Sequence, residues 1–223
     1  MLKLSREQIA WRAAQDIPDG AVVNLGIGMP VAVSNHLPAD RDVFFQSENG
    51  VVGVGPAAAE GHGDPDLVDA GSRQITLRAG GTIIDSAASF AMIRGGHIDI
   101  TVLGAFEVNP QGDLANWDAR IADKGALVGG AMDLASCAKA TWVLMAHTTR
   151  GGEPRLRGQL SLPLTAAACV TRVYTDLAVI DVTPQGLVVT DRIGAISDDE
   201  FAALTGAPFQ MAPAWRVLDV ANV

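Results

Sequence analysis

A short apolar run that ends in a glycine turn limits the possible folds of this chain more than any other feature. Residues 21–25 form the run, and the turn Gly26-Ile27-Gly28 follows it. Pro30 then suits the first turn of a helix that continues toward Leu37, and residues 43–46 supply a second apolar run. Apolar runs of this length suit strands that are covered on both faces. The order strand, turn, helix, strand therefore predicts a βαβ unit.

The rest of the chain continues this alternation. Ser5 with Gln8 and Ser197 with Glu200 form capping boxes, which predict two helix starts. Residues 57–73 are small, polar and turn-rich, which is typical of a long surface segment, and such segments are often functional. We predict further strands at 74–77, 82–84, 98–103 and 140–145, a hairpin of 177–182 with 187–189, and helices at 86–94 and 129–134.

No linker or internal repeat divides the sequence. We therefore predict a single α/β domain over residues 1–223, built as three layers around a mainly parallel central sheet. Residues 210–223 are expected to form a C-terminal tail.

Composition and charge exclude several classes of partner. The 223 residues carry a formal net charge of −9, with basic residues scattered singly, which argues against nucleic acid or an anionic membrane surface. No apolar run approaches the roughly 18 residues of a spanning helix, and the sequence starts without a secretory signal pattern. Cys137 and Cys169 lie far apart and suit buried thiols of a reducing compartment. The sequence predicts a soluble cytoplasmic protein.

Several common sites are absent from the sequence. The four histidines are isolated, and no pair has metal-ligand spacing, so no metal site is predicted. A dinucleotide fingerprint would need a third glycine at Val31, which disfavours a nicotinamide cofactor. The glycine turn still lies where parallel strands present ligands, so Asn24, Gly26 and Gly28 are candidate pocket residues. A purely structural strand-to-helix turn explains these glycines equally well.

Glu48 is the leading candidate for chemistry. It follows the apolar run 43–46 in the turn Ser47-Glu48-Asn49-Gly50, and more glycines follow. A lone glutamate in a loop usually faces water, but glycines allow a ligand or another backbone to approach closely. Gly129-Gly130 could present backbone N–H groups to an oxyanion, although a tight turn alone would also explain that pair. Asp113, Asn116 and Trp117 suggest a hydrogen-bonded turn packed under an aromatic ring.

Taken together, these strings resemble the B (β) subunit of the 3-oxoacid coenzyme A (CoA)-transferases, which belong to the family I CoA-transferases. The similarity covers nearly the whole chain, to about Phe209, and follows the family's order. The matching stretches are residues 23–28, 47–50, 89–97, 112–117, 129–134, 162–165, 175–179 and 205–209. The Ser-Glu-Asn-Gly and Gly-Asp-Leu-Ala-Asn-Trp strings are the most specific of them.

The resemblance implies that Glu48 is a covalent nucleophile that carries CoA as a glutamyl thioester. It also implies that the N–H of Gly130 is an oxyanion donor, with a second donor from a partner α subunit in an α2β2 assembly. CoA would be a co-substrate, with no permanently bound cofactor. The reaction would move CoA from succinyl-CoA to a 3-oxo acid, 3-oxoadipate first and acetoacetate second. The residues expected to bind CoA or substrate are Asn24, Gly26, Gly28, Asn49, Gly50 and Arg73.

Four departures from the family's pattern concern the substrate. Ala146 stands where a glutamate is frequent, Glu107 where a glutamine is frequent, and Ser72 where a basic residue is frequent. The segment 118–124 after the tryptophan is also altered. We expect contacts to the CoA phosphates to move to Arg73 or to the partner. Two alternatives remain open at this point: an acyl-CoA hydrolase and a non-catalytic sugar-phosphate sensor on the same scaffold.

Overall fold

A computed structural model describes residues 3–59, 61–121, 125–126 and 128–218 of the chain. Within these ranges the helices are short, and three of them begin after a residue whose side chain accepts a backbone hydrogen bond from the first turn, namely Ser5, Asp85 and Ser197. The helices are α1 (Arg6–Asp16), the 3₁₀ helix Met29–His36, α2 (Ser86–Arg94), α3 (Ala131–Cys137) and α4 (Asp198–Leu204). Both predicted capping boxes are confirmed, since the side chains of Ser5 and Ser197 each accept a hydrogen bond from the backbone three residues on.

Twelve strands lie in the part of the chain that the structure describes. They are β1 (Val22–Leu25), β2 (Phe44–Ser47), β3 (Val51–Ala57), β4 (Ile75–Ile83), β5 (Ile100–Gly104), β6 (Glu107–Val108), β7 (Leu114–Ala115), β8 (Ala140–Leu144), β9 (Val170–Tyr174), β10 (Ala178–Thr183), β11 (Gly186–Arg192) and β12 (Phe209–Val217). Ten of them form one sheet in the order β12-β11-β10-β9-β8-β5-β1-β2-β3-β4, and β6 pairs with β7.

The centre of the large sheet is parallel. Neighbours from β9 to β2 all run parallel, as do β11 and β12, whereas the β9–β10–β11 and β2–β3–β4 pairs are antiparallel. The central strands are buried on both faces, and Val23, Val102, Val143 and Val173 have no exposed surface. This burial explains why their sequences are apolar runs rather than alternating patterns.

Helices cover both faces of this sheet. The helix α1 packs against the 3₁₀ helix, while α2 packs against α3. The connection from β1 through the 3₁₀ helix to β2 runs toward the β4 edge of the sheet. The connection from β4 through α2 to β5 runs toward the β12 edge. Because crossovers between parallel strands are right-handed, the two sets of helices lie on opposite faces. The predicted α/β domain with a mainly parallel central sheet is confirmed.

Some element predictions were wrong. The segment 51–57, for which no strand was predicted, is strand β3, and 75–83, expected to hold two strands, is the single strand β4. Strand β9 was not predicted. The segment expected to be a C-terminal tail begins with β12, which pairs with β11, and residues 219–223 lie outside the described residues.

The 57–73 surface segment was predicted correctly. Among its described residues beyond β3, no regular helix or strand forms, and Val68 makes one isolated bridge to Gln74. No helix among the described residues is both long enough and apolar enough to cross a membrane.

Candidate active site

A cavity of about 770 Å³ lies where the parallel strands β2, β1, β5 and β8 end. Their carboxyl ends meet at one edge of the sheet, which is where α/β proteins bind ligands. The volume falls in the range of small-molecule sites. The cavity is lined by residues 26–30, 103–106, 128–131 and 144–146, with Arg6, Glu48, Asn116, Ala126, Leu134 and Arg155.

Glu48 reaches this cavity because β2 ends one residue earlier, at Ser47. The turn that follows is fixed by Gly50, whose N–H donates to the carbonyl of Ser47 and whose φ is +117°. A Cβ at Gly50 would collide with the carbonyl oxygen of Ile84. Only glycine therefore combines this conformation with this packing, and the turn holds Glu48 half-buried at the cavity wall.

A buried amide chain lies beneath the carboxylate of Glu48. The Nδ2 of Asn24 donates to the Oε1 of Gln46 at 2.6 Å, and the Nε2 of Gln46 donates to the hydroxyl of Ser89 at 2.7 Å. The same Nδ2 lies 3.4 Å from the Oε2 of Glu48, which is long for a hydrogen bond. Asn24 thus makes only a long contact with Glu48, and the carboxylate oxygens of Glu48 are largely free of hydrogen bonds to the described side chains.

The two glycines of the first turn have different reasons to be glycine. A Cβ at Gly26 would lie 3.0 Å from the Cδ2 of Leu103 and 3.1 Å from the carbonyl oxygen of Val102, so the turn packs tightly on β5. Gly28 has φ +95° in open space, so backbone conformation selects it. Both line the cavity, as the sequence predicted for a ligand pocket.

Gly130 lies directly beside Glu48. A Cβ built on Gly130 would be 3.6 Å from the Cγ of Glu48 and 3.0 Å from the Cζ of Phe90. Gly130 caps the N-terminus of α3 without a side chain, and the first N–H groups of a helix lack intrahelical acceptors. The fold therefore brings a carboxylate and backbone donors together, the arrangement needed for attack on a carbonyl and stabilisation of the resulting oxyanion.

Four predicted binding residues do not line this cavity: Asn24, which is fully buried, and Asn49, Gly50 and Arg73. Asn49 donates its Nδ2 to the carbonyl of Val68 at 2.8 Å, and Gly50 shapes the turn. The Nε of Arg73 lies 3.2 Å from the Oδ2 of Asp69, beside a much smaller pocket of about 20 Å³. The structure therefore brings Glu48, Gly130, Gly26 and Gly28 together at one cavity, with the Nδ2 of Asn24 3.4 Å from Glu48, while the catalytic and binding roles of all these residues stay predictions.

Sequence reasoning missed several cationic and polar groups that line the cavity. Arg6 and Arg155 both line it, and neither belongs to a recognisable motif. Asn116 was interpreted as part of a structural turn. It donates to the carbonyl of Gly104 at 3.1 Å and accepts from the hydroxyl of Thr165 at 2.8 Å, and it also lines the cavity.

The departures from the family's pattern have distinct locations. Ala146 lies in the cavity wall, where a larger side chain would take up space. Glu107 is buried away from the cavity and accepts from the backbone N–H groups of Ser161 and Leu162 and from the hydroxyl of Ser161. Ser72 lies in a turn with φ +62°. In the segment 118–124, residues 122–124 lie outside the described residues.

Two titratable groups away from the cavity, buried His147 and half-buried Cys169, have pKa values shifted by their surroundings, and both cysteines are half-buried rather than buried as expected. Both ring nitrogens of His147 are hydrogen-bonded, one to Thr175 and one to Thr205, and burial lowers the pKa of His147 to about 4. Burial raises the pKa of the Cys169 thiol to about 11. Within the described ranges, no group of three or more histidine, cysteine or acidic side chains is placed to hold a metal ion.

Comparison with known proteins gives a consistent set of relatives. Residues 6–194 match the family described as coenzyme A transferase. The chain is 51% identical, over 92% of its length and 94% of the relative's, to the B subunit of the 3-oxoadipate CoA-transferase of Acinetobacter baylyi. It is 45% identical, over 95% of its length and 97% of the relative's, to the B subunit of a probable succinyl-CoA:3-ketoacid coenzyme A transferase of Bacillus subtilis.

Solved structures share the fold at low sequence identity. The acyl-CoA transferase YdiF of Escherichia coli aligns with a TM-score of 0.77 and 18% identity over 97% of this chain. This chain spans 43% of the length of that larger protein. The glutaconate coenzyme A-transferase of Acidaminococcus fermentans aligns with a TM-score of 0.70 and 16% identity, over 99% of this chain and 91% of the other.

Proposed function

The chain belongs to the coenzyme A transferase family, and on that premise we propose that it is the B subunit of an enzyme that moves CoA from succinyl-CoA to a 3-oxo acid. The preferred acceptor is 3-oxoadipate, and acetoacetate is second. The names of the two bacterial relatives support 3-oxoadipate as one acceptor and, more broadly, a 3-keto acid as the acceptor class. The observation that carries the proposal is the carboxylate of Glu48 in the cavity wall, with Gly130 against its side chain.

A carboxylate suits this reaction because CoA moves between two carboxylic acids, so the carrier can be a third. A carboxylate oxygen of Glu48 attacks the thioester carbonyl of the donor, and the CoA thiolate leaves, which gives a mixed anhydride. The thiolate then attacks the glutamyl carbonyl and releases the donor acid. The product is a thioester between Glu48 and CoA.

The second half reverses these steps with a new acid. A carboxylate oxygen of the acceptor attacks the glutamyl thioester and releases the CoA thiolate, which gives a second mixed anhydride. The thiolate attacks the acceptor's carbonyl, and Glu48 leaves as a free carboxylate. No oxidant, metal or external base is required, because each leaving group is the next nucleophile or a stable anion.

Each attack creates a tetrahedral oxyanion. The N–H of Gly130 is proposed as one donor to it, worth about 3 kcal/mol if it resembles oxyanion donors elsewhere. In line with the resemblance to the family, the second donor is proposed to come from the partner α subunit. The apolar walls of the cavity limit water, which matters because hydrolysis would destroy the thioester.

The remaining features of the proposal concern assembly and location. Relatives named as B subunits support the presence of a partner α subunit, and we propose an α2β2 assembly. Free cysteines, with the Cys169 thiol kept protonated by burial, suit a reducing cytoplasm. The two relatives are named as transferases, which gives no support to a hydrolase or a sugar-phosphate sensor.

The test is a search for the covalent intermediate. The chain, reconstituted with its α partner, is incubated with succinyl-CoA without acceptor, and its intact mass and the masses of its proteolytic peptides are measured. We expect a CoA-sized addition on the peptide that contains Glu48, discharged by adding 3-oxoadipate. The Glu48→Gln variant should show no addition and should lose activity by about 10⁴-fold or more, as nucleophile removals do in other enzymes. An active enzyme that never carries the addition would contradict the mechanism.

A further inference from the structure

Arg155 is a cation in the cavity wall without a carboxylate partner among the described residues. Its Nη1 donates to the carbonyl of Ala105 at 3.2 Å, and its buried Nε has no described hydrogen-bond partner. Burial lowers the pKa of this guanidinium, and the charge of Asp176 partly opposes that shift. The oxygens of Asp176 are engaged elsewhere, by the Nζ of Lys3 at 3.2 Å and by the N–H of His147.

The other arginines nearby are placed differently. Arg157, two residues further on, lies 2.9 Å from the carboxylate of Glu107 and away from the cavity. Arg6 also lines the cavity, but it is exposed at the start of α1. A partly buried arginine normally has its charge compensated, since desolvating an unpaired charge is costly. Arg155 is thus the cavity cation that most needs an anion.

The backbone around Arg155 is held rigidly. Its N–H donates to the carbonyl of His147 at 3.0 Å, and its own carbonyl accepts from Val108 at 3.1 Å. The next residue, Leu156, is fully buried. The backbone of Arg155 is therefore fixed relative to β6 and to the segment after β8, while its long side chain can still adjust to acyl groups of different length.

We propose that Arg155 binds the carboxylate at the far end of the acyl group and so selects dicarboxylic acyl groups. This inference rests on the proposed function, in which the other end of the acyl group reacts at Glu48. Succinyl and 3-oxoadipyl groups both have a free carboxylate after one end is joined to CoA, whereas an acetoacetyl group ends in a methyl. Arginine matches a carboxylate because its planar fork offers paired N–H donors and cannot be deprotonated in proteins.

Arg155 thereby favours both preferred substrates. Succinyl-CoA as donor and 3-oxoadipate as acceptor would use the same contact in the two half-reactions. Acetoacetate would fit the cavity without it, which makes acetoacetate the second acceptor rather than the first. The contact is made by donor and acceptor alike, so Arg155 is a specificity-determining residue for both halves.

The experiment compares two four-carbon donors in the first half-reaction. The chain with its α partner is mixed with succinyl-CoA or acetoacetyl-CoA, and the second-order rate of CoA addition to Glu48 is measured. We expect Arg155→Gln to slow addition from succinyl-CoA by about 10- to 100-fold, the range of a lost charge-assisted hydrogen bond, and addition from acetoacetyl-CoA by less than about 3-fold. Arg155→Lys keeps the charge and should restore part of the rate from succinyl-CoA.

The controls separate the possible failures. Arg150→Gln removes an exposed arginine from the same loop and should change neither rate. Three results would overturn the assignment of Arg155 while leaving Glu48 as the carrier. The first is an equal loss of rate with both donors in Arg155→Gln and Arg155→Lys, and the second is no loss of rate in either variant. The third is a selective loss with succinyl-CoA in Arg6→Gln instead. If the unmodified complex acquires no CoA from either donor, the proposed function fails and this inference fails with it.

Discussion

The turn after β2 and the loop around β6 each hold a glutamate, and the two carboxylates have very different surroundings. Glu107 is 5% exposed and accepts from two N–H groups and a hydroxyl, with Arg157 at 2.9 Å. Glu48 is half-buried in a cavity wall, and Asn24 contacts it at 3.4 Å. A carboxylate whose oxygens are already bound stabilises a loop, whereas one left with long contacts can attack a substrate.

The same contrast extends to the residues around each glutamate. Beside Glu48 the chain uses glycines, which leave space and backbone donors. Beside Glu107 it uses Ser161, Arg157 and buried Leu156, which fill space and pair charges. The two regions therefore use different residue types. Substitutions beside Glu48 should change the rate of CoA addition, whereas substitutions around Glu107 should change the free energy of unfolding.

The largest effect expected beyond Glu48 itself is at Gly130. In Gly130→Ala the new methyl would lie 3.0 Å from Phe90 and 3.6 Å from the Cγ of Glu48, which disturbs the nucleophile and its oxyanion donor together. We expect the rate of CoA addition to fall by about 10- to 100-fold, since loss of one oxyanion donor costs at most about 10³-fold. The melting temperature should change little. Gly158→Ala, in open space, is the matched control, and an unchanged rate in Gly130→Ala would contradict the placement of Gly130.

Glu107→Gln should affect stability rather than chemistry. The amide keeps the shape of the side chain but removes the charge that faces Arg157 and the three donors from Ser161 and Leu162. We expect the free energy of unfolding to fall by about 1–3 kcal/mol, while Glu48 still acquires CoA. Denaturant unfolding measures the first quantity and intact mass the second. Glu153→Gln, at an exposed and more distant partner of Arg157, is the control. If Glu107→Gln lost CoA addition but kept its free energy of unfolding, Glu107 would have a role in the reaction rather than in stability, contrary to this account.

His147 gives the smallest effect, and it appears only on acidification. The unfolded chain binds a proton at this histidine below about pH 6.5, but the folded chain does so only below about pH 4. Its contribution to stability is therefore complete at neutral pH and is lost as the pH falls through this window, by about 1 kcal/mol between pH 7 and 5.5. His147→Gln should unfold with a shallower pH dependence than the unmodified chain. Identical slopes would show that the His147 ring is not kept neutral by burial.

Much of the fold could be predicted because its signals are local. The apolar runs of β1 and β2, both capping boxes and the β10–β11 hairpin were recognised from neighbouring residues. Strand β3 was missed because Gly53, Gly55 and Pro56 weaken its local preference, and pairing with β2 and β4 compensates for that weakness. Strand β12 was missed for a related reason. It forms by pairing in parallel with β11, which lies on the other side of α4 in the sequence, and the residues of β12 alone do not indicate that pairing.

The part of the site that follows β1 and β2 could be predicted from the sequence. Glu48 and Gly26 each follow a strand within three residues, so sequence order places them at one sheet edge. Arg155 lies in a loop without periodicity, and its place in the cavity depends on contacts with Ala105 and Val108 from a distant part of the chain and with His147 at the start of the same loop. No local pattern distinguishes it from Arg150 or Arg157, so a tertiary structure was needed to find it.

The most direct test is to locate the intermediate by reduction. The complex is charged with succinyl-CoA and treated with borohydride, which converts a glutamyl thioester to a primary alcohol and releases CoA, and its peptides are then mapped by mass. The two-glutamate comparison predicts the reduced side chain at Glu48, with Glu107 unchanged. A reduced residue at Glu107, or none at all in an enzyme that still turns over, would contradict it.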